Sequence, residues 1–405
     1  MIDLKKHIGI ALAYFLAVAL MGVLLRFYVV TSLPFNYKFL LHAHSHTALL
    51  GWIYLGLTTL IYKIFLSSAE KPKLYKRIFL FTNVCIMGML ITFPIQGYAL
   101  FSIIFSTLFL FASYWFTWFA MKYVPQHFKN RFSWKLIKTS LWYLVISSIG
   151  PWTIGGVMAT LGPESIWYKT SIYFYLHFQY NGWFILALLG VLFYIFEEKG
   201  IQFKPEKLKS FFLLLNFGVL FTLFLSVLWF APPIVFYVLG LVGAVAQGLA
   251  FHELYLLLKE HFQLMKKSFA LRAFFLLKMA GGLLVAKLLM QLFSAIPYVA
   301  NLAFQLKDFV IGYLHLVFLG IVITTLLAFL KYFKLISLPK SFIWTFIFAF
   351  TTTEFLIFYK AFALWLKLPF ISNYYMLLAM LSLSFPIAVS ILFFKNIFLK
   401  YSKNM

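Results

Sequence analysis

Apolar residues fill this chain in long blocks parted by short polar connections. A helix needs about 20 mostly apolar residues to cross a bilayer. Twelve blocks meet that length: 8–29, 37–62, 77–97, 99–123, 135–160, 168–196, 207–230, 233–258, 268–294, 308–331, 341–366 and 374–398. The seventh ends before "APPI" and the ninth at "SAIP", both proline-marked turns. The pattern predicts an all-α polytopic membrane protein, with residues 1–405 forming one transmembrane domain of twelve helices. Gly240 with Gly243, and the pair Gly281–Gly282, point to close helix packing.

The connections alternate in charge. "SSAEKPKLYKR", "QHFKNRFSWK", "EEKGIQFKPEK", "KEHFQLMKKSFALR" and "KYFKLISLPK" are basic, as are the tails "DLKKH" and "KNIFLKYSKNM". The intervening set, from "TSLPFNYK" to "KLPFISNYY", carries little charge. Basic loops stay on the cytoplasmic side. This rule puts both termini in the cytoplasm, in a multi-pass protein of the inner (plasma) membrane. The net charge of +24 is then an orientation signal and not a nucleic-acid surface.

Composition agrees. The chain is 64% hydrophobic, 21% aromatic and only 11% charged, with a mean hydropathy of +0.95; no soluble domain hides that much apolar surface. Its one cysteine, Cys85, excludes an internal disulfide and any cysteine-based metal motif. The N-terminal apolar stretch lacks a cleavage site before a soluble domain, so it reads as the first span and not as a removed signal peptide.

Polar groups inside hydrocarbon are costly and mark functional candidates. At 1.5 Å per residue, His46 lies about 13 Å, His177 about 14 Å and His315 about 10 Å from the outer ends of segments 2, 6 and 10. His252 falls near the other face. His7, His127 and His261 lie in the flanks and read as solvated. In "HAHSHTALLGW", His42 and His46 share a helix face and His44 points elsewhere. Imidazole suits haem iron, copper and zinc. No carboxylate accompanies the layer, which favours haem or copper over a hard cation. Lys278 and Glu354 sit near mid-depth and are expected to pair. Lys287 and Lys360 reach the histidine layer, placed either to snorkel or to meet haem propionates or another anion.

Twelve helices with both ends cytoplasmic resemble subunit I of the haem–copper oxidase superfamily, which includes the nitric oxide reductases. "HTALLGW" from His46 is similar to the haem-ligating motif of that family's second helix. "HFQYNGW" from His177 resembles the H-x-x-x-E-G-x-W of the reductases' sixth helix, with Asn181 in place of Glu. "YLHLVFLG" resembles the H-x-H of the tenth, with Tyr313 in place of the first His. His44 with His46 is also similar to NnrS-type haem–copper membrane proteins. The family's two adjacent copper histidines in helix 7 have no counterpart here. The resemblance implies a b-type haem held by His46 and His315, with His42 at the haem edge and His44 on the neighbouring face. It implies a further metal, copper, near His177, Asn181 and Tyr313.

The implied role is electron transfer, or nitric oxide or oxygen handling, without a complete binuclear reductase centre. The partners would be membrane lipid and a quinol or another membrane redox subunit. Two other classes stay open: a transporter or metal permease with a histidine-lined site, and a cofactor-free structural or assembly subunit.

Overall fold

Helix starts are written locally in the chain. The Asp3 side chain accepts from the Lys5 and Lys6 amides. Asn36 accepts from Lys38 and Phe39, and Ser165 from Trp167. Each cap satisfies amides that a first helical turn leaves open. Pro72 and Pro205 open two further helices, where a missing N–H costs nothing.

The computed structural model describes residues 2–398. Among them, twelve helices are long and apolar enough to cross a membrane. Spans 1 to 6 are Leu4–Phe27, Tyr37–Ala69, Pro72–Gln96, Leu100–Tyr123, Phe132–Thr160 and Ile166–Glu198. Spans 7 to 12 are Pro205–Phe230, Ile234–Lys259, Leu271–Ser294, Lys307–Tyr332, Lys340–Leu366 and Tyr374–Ile397. They match the twelve apolar blocks and differ at the ends, most at span 2, which runs on to Ala69. No strand occurs among the described residues. The basic C-terminal tail lies outside them after Phe398. Leu213, Ile234, Trp344 and Phe355 each expose more than half their surface. Such a coat is an aggregation hazard in water and carries no penalty against lipid.

Spans 2, 6 and 10 are the most buried of the twelve. In each, the α-helix ends at a histidine and a π-helical stretch follows. Thr47–Tyr54 follows His46, Phe178–Phe184 follows His177, and Leu316–Ile323 follows His315. Among the described residues the only other π stretch, Tyr62–Leu66, is again in span 2. The i→i+5 geometry is rare and gathers at functional sites. Gly51, Gly182 and Gly320 each stand five residues after their histidine, which is one π step. Each of the three stretches that follow a histidine packs on the span before it, namely span 1, 5 or 9.

The chain forms two compact units. One comprises the residues up to Gln126 with those from Leu326 onward; the other is His127–Thr325. Within the first, a Cβ on Gly51 would lie 2.9 Å from Tyr14 Cβ and Cγ, and the Tyr14 hydroxyl donates to Asn83 Oδ1 at 2.7 Å. Within the second, a Cβ on Gly182 would lie 2.6 Å from Tyr143 Cβ and Cγ, and the Tyr143 hydroxyl donates to Asn216 Oδ1 at 2.9 Å. The same glycine–tyrosine–asparagine relation thus joins spans 1 to 3 and spans 5 to 7.

Other glycines divide. Gly240 and Gly243 press span 8 onto span 7; an added Cβ would meet Leu225 and the Thr222 amide at 2.5 Å. Gly281 and Gly282 meet nothing within 4 Å, so the packing role expected of that pair is corrected: they lie on an open face of span 9.

Gly51→Ala and Gly182→Ala should each lower stability by about 1–3 kcal/mol through overpacking, because the obstructing atoms sit next to the tyrosine backbone. Gly281→Ala should be neutral or stabilising by up to about 1 kcal/mol from helix propensity. Thermal unfolding in detergent checks all three. Equal effects at Gly182 and Gly281 would refute the packing assignment.

Candidate functional site

In the first unit, span 2 delivers three histidines within one and a half turns. His46 Nδ1 lies 2.9 Å from the His42 carbonyl oxygen. A carbonyl only accepts, so Nδ1 carries the proton and Nε2 keeps the lone pair. The Tyr98 hydroxyl donates to that Nε2 at 3.1 Å. Tyr98 comes from the turn between spans 3 and 4, which Gly97 makes possible with a φ of 62°, in the region that favours glycine. Phe93 closes the cluster, its ring centroid 4.5 Å from that of His46. His42 meets the Tyr98 ring edge-on at 4.6 Å. His44 faces the other way, donating from Nδ1 to the Val18 carbonyl at 3.0 Å, where Gly22 leaves room for its ring.

In the second unit, spans 6 to 9 share one buried polar network. His177 Nε2 donates to the Val219 carbonyl at 2.8 Å, close to where span 7 changes from α to 3-10 geometry at Thr222. The proton on Nε2 leaves Nδ1 as acceptor, facing Asn181 Nδ2 at 3.2 Å and Ser226 Oγ at 3.3 Å. Asn181 Oδ1 accepts from Lys287 Nζ at 2.6 Å. Lys287 also donates to Gln247 Oε1 at 3.2 Å, and Gln247 donates to the Thr222 hydroxyl at 3.2 Å. The donors therefore run one way, from Lys287 through Asn181 and His177 to Val219.

Lys287 is 0% exposed. The snorkelling expected of it is corrected, since Asn181 and Gln247 hold its amine in the interior. Its partners are these two amide oxygens, and no carboxylate among the described residues pairs with it. Two amide oxygens do the work of a counter-ion, a costly arrangement for a buried amine. Sequence reasoning found His177 and Asn181 and passed over Gln247, Thr222 and Ser226. The missed signal was isolated polar residues in otherwise apolar spans 7 and 8.

The other candidates scatter. Tyr313 packs edge to face on Tyr180 at 6.1 Å, next to Asn181 in the chain. His315 is half-buried at the end of the α-helical part of span 10, in the second unit, whereas His46 belongs to the first. Lys278 is exposed in the second unit and Glu354 is buried in the first. Arg26, unmentioned by sequence reasoning, lies close enough to Glu354 and His44 for their charges to interact. Lys360 lies over the Tyr375 ring at 5.4 Å. His7 is not solvated, as its flanking position implied: it is buried and stacked on Phe79 at 3.6 Å.

These environments suit different groups. His46 has the tautomer that metal-bound histidines show, with one nitrogen pinned to a carbonyl and the other presented as a ligand. Its residues fit an axial bond to haem iron. His177 does not suit copper. Both its nitrogens are engaged, Asn181 offers its oxygen to Lys287, and that ammonium opposes a second cation. Among the described residues, no cluster of three or more His, Cys, Asp or Glu side chains is arranged to hold a metal.

Lys287→Met should leave the Asn181 and Gln247 oxygens without a donor. At about 1–3 kcal/mol for each orphaned group, stability should fall by roughly 2 kcal/mol or more, read as a lowered Tm of the purified protein. An unchanged Tm would show that the network is not coupled to folding.

Compared with known proteins, the chain matches no family model and no curated relative.

Proposed function

We propose that this chain is a membrane haem b protein resembling haem–copper oxidase subunit I, acting in electron transfer or in nitric oxide or oxygen handling. The observation that carries the reading is His46: its proton is fixed on Nδ1 by the His42 carbonyl, and its Nε2 lone pair faces Tyr98. The resemblance supplies His315 as the second axial ligand. When bound, a bis-histidine haem supplies one-electron chemistry. The protein's part is to hold the His46 ring by its hydrogen bond, flank it with Phe93, and cover the lone pair with Tyr98 until the group arrives. The reading includes no copper and no binuclear reductase centre. It takes a quinol or a neighbouring redox subunit as the electron partner, with both termini cytoplasmic and the chain in the inner (plasma) membrane.

One observation favours a second reading. A buried lysine without a carboxylate, beside a neutral histidine, is also what a transporter for an anionic solute would keep near mid-membrane. In that reading the Lys287–Asn181–His177 network is the solute site, and the protein binds no haem.

The purified protein should show a reduced-minus-oxidised b-type optical spectrum. His46→Ala should abolish it, and Tyr98→Phe should raise haem occupancy several-fold by removing the competing hydroxyl. His44→Ala should leave it intact. A full-length, folded protein with no haem spectrum under any reconstitution sinks the haem reading. Stabilisation of that haem-free protein by small anions, lost in Lys287→Met, would establish the second.

A further inference from the structure

Where spans 5 and 7 begin, the second unit carries a crevice of about 460 Å³ lined by Lys129, Arg131, Lys135, Lys138 and Lys209 with Phe132 and Leu208. No acid lines it. Three of the acids nearby are engaged: Glu198 with Arg131 at 2.5 Å, Glu197 with the Ser133 amide and hydroxyl, and Glu253 with Lys207; Glu206, exposed in the first turn of span 7, does not line the crevice. That leaves four lysines with no carboxylate in ion-pair range among the described residues. One of them, Lys135, rests over the Phe212 ring at 4.0 Å.

An orientation signal requires cations near a span end. It requires neither a crevice nor an apolar floor, and this feature has both. Lys135, Lys138, Trp142 and Ile149 follow one another along one face of span 5 at helical spacing, and Trp142 and Ile149 are exposed. Lys209, Leu213, Phe217 and Leu220 do the same on span 7, with the last three exposed. The Tyr143–Asn216 hydrogen bond ties the two spans below the crevice. Cations at the mouth and bare hydrocarbon beneath match a molecule with a polyanionic head and apolar tails.

We propose that this crevice is a binding site for an anionic phospholipid whose head carries two phosphates. The phosphates sit among Lys135, Lys138, Lys209 and Lys129, and the acyl chains lie along Trp142 and Leu213. Basic pockets between membrane helices have the chemistry for such heads. A single-phosphate lipid would satisfy only part of the cation set.

The test uses the full-length protein in detergent, titrated with cardiolipin, phosphatidylglycerol or phosphatidylcholine, and read by native mass spectrometry and Tm. One cardiolipin should stay bound and raise Tm more than phosphatidylglycerol at equal phosphate, with phosphatidylcholine inert. Replacing Lys135, Lys138 and Lys209 together by Ala should weaken cardiolipin binding about a hundredfold, from the usual contribution of each lysine near an anionic surface. If that variant does not fold, Lys138→Glu alone should weaken binding at least about tenfold. Lys266→Ala with Lys267→Ala, two exposed lysines elsewhere in the same unit, should change nothing. Equal losses from both lysine sets would overturn the site in favour of diffuse attraction. Inorganic pyrophosphate reproducing the Tm rise would overturn the lipid in favour of a water-soluble phosphate.

Discussion

Hydrocarbon offers no water to a polar group, so each buried donor or acceptor in a membrane bundle has to be answered by the protein itself. The Lys287 amine is where this constraint is most severe. Answering it takes an amide from span 6 and another from span 8. Those amides then need partners, which His177 and Thr222 provide, and Ser226 in turn faces the His177 ring nitrogen. Four spans are placed by this one chain of demands. Lipid gives helices little reason to associate through apolar area alone, so such a network fixes their register together with the glycine contacts of spans 7 and 8.

The architecture was largely legible because length and hydropathy alone mark a span. Twelve blocks gave twelve helices; their ends moved where a start signal such as Pro205 preceded the apolar pattern and, most of all, where span 2 runs on past Tyr62 to Ala69 in π and 3-10 turns. Side-chain partners were much less legible. Depth along a helix says nothing of its rotation: Lys278, expected to pair with Glu354 near mid-depth, is exposed, and Lys287, expected to snorkel or meet an anion, is buried in a polar network. Gly281–Gly282 failed for the same reason, since a small pair promotes packing only on a face that meets a neighbour. A repeated His followed by Gly five residues on was readable in segments 2, 6 and 10. It went unread because α-helical spacing puts those two positions on different faces. Only a π step aligns them.

The π stretches link folding to chemistry. Three of the four among the described residues follow a histidine and contain a glycine; at Gly51 and Gly182 a tyrosine of the preceding span presses on it. The wide turn gives up regular α bonding, and close packing on the neighbouring span holds the distorted form. A histidine at such a junction has its backbone fixed by α-helix on one side and its surroundings reshaped on the other. That combination suits a side chain which must point one way while its neighbours make room.

Gly97 adds a separate consequence. The histidine of span 2 belongs to a helix, and the tyrosine that covers its lone pair belongs to a three-residue turn. Loop motions run on nanoseconds to microseconds, whereas packed helices shift more slowly. Access to His46 Nε2 is therefore a kinetic property of the turn, and uncovering it requires no span to move. Stiffening that turn would slow the loading of the site while leaving its equilibrium geometry as it is.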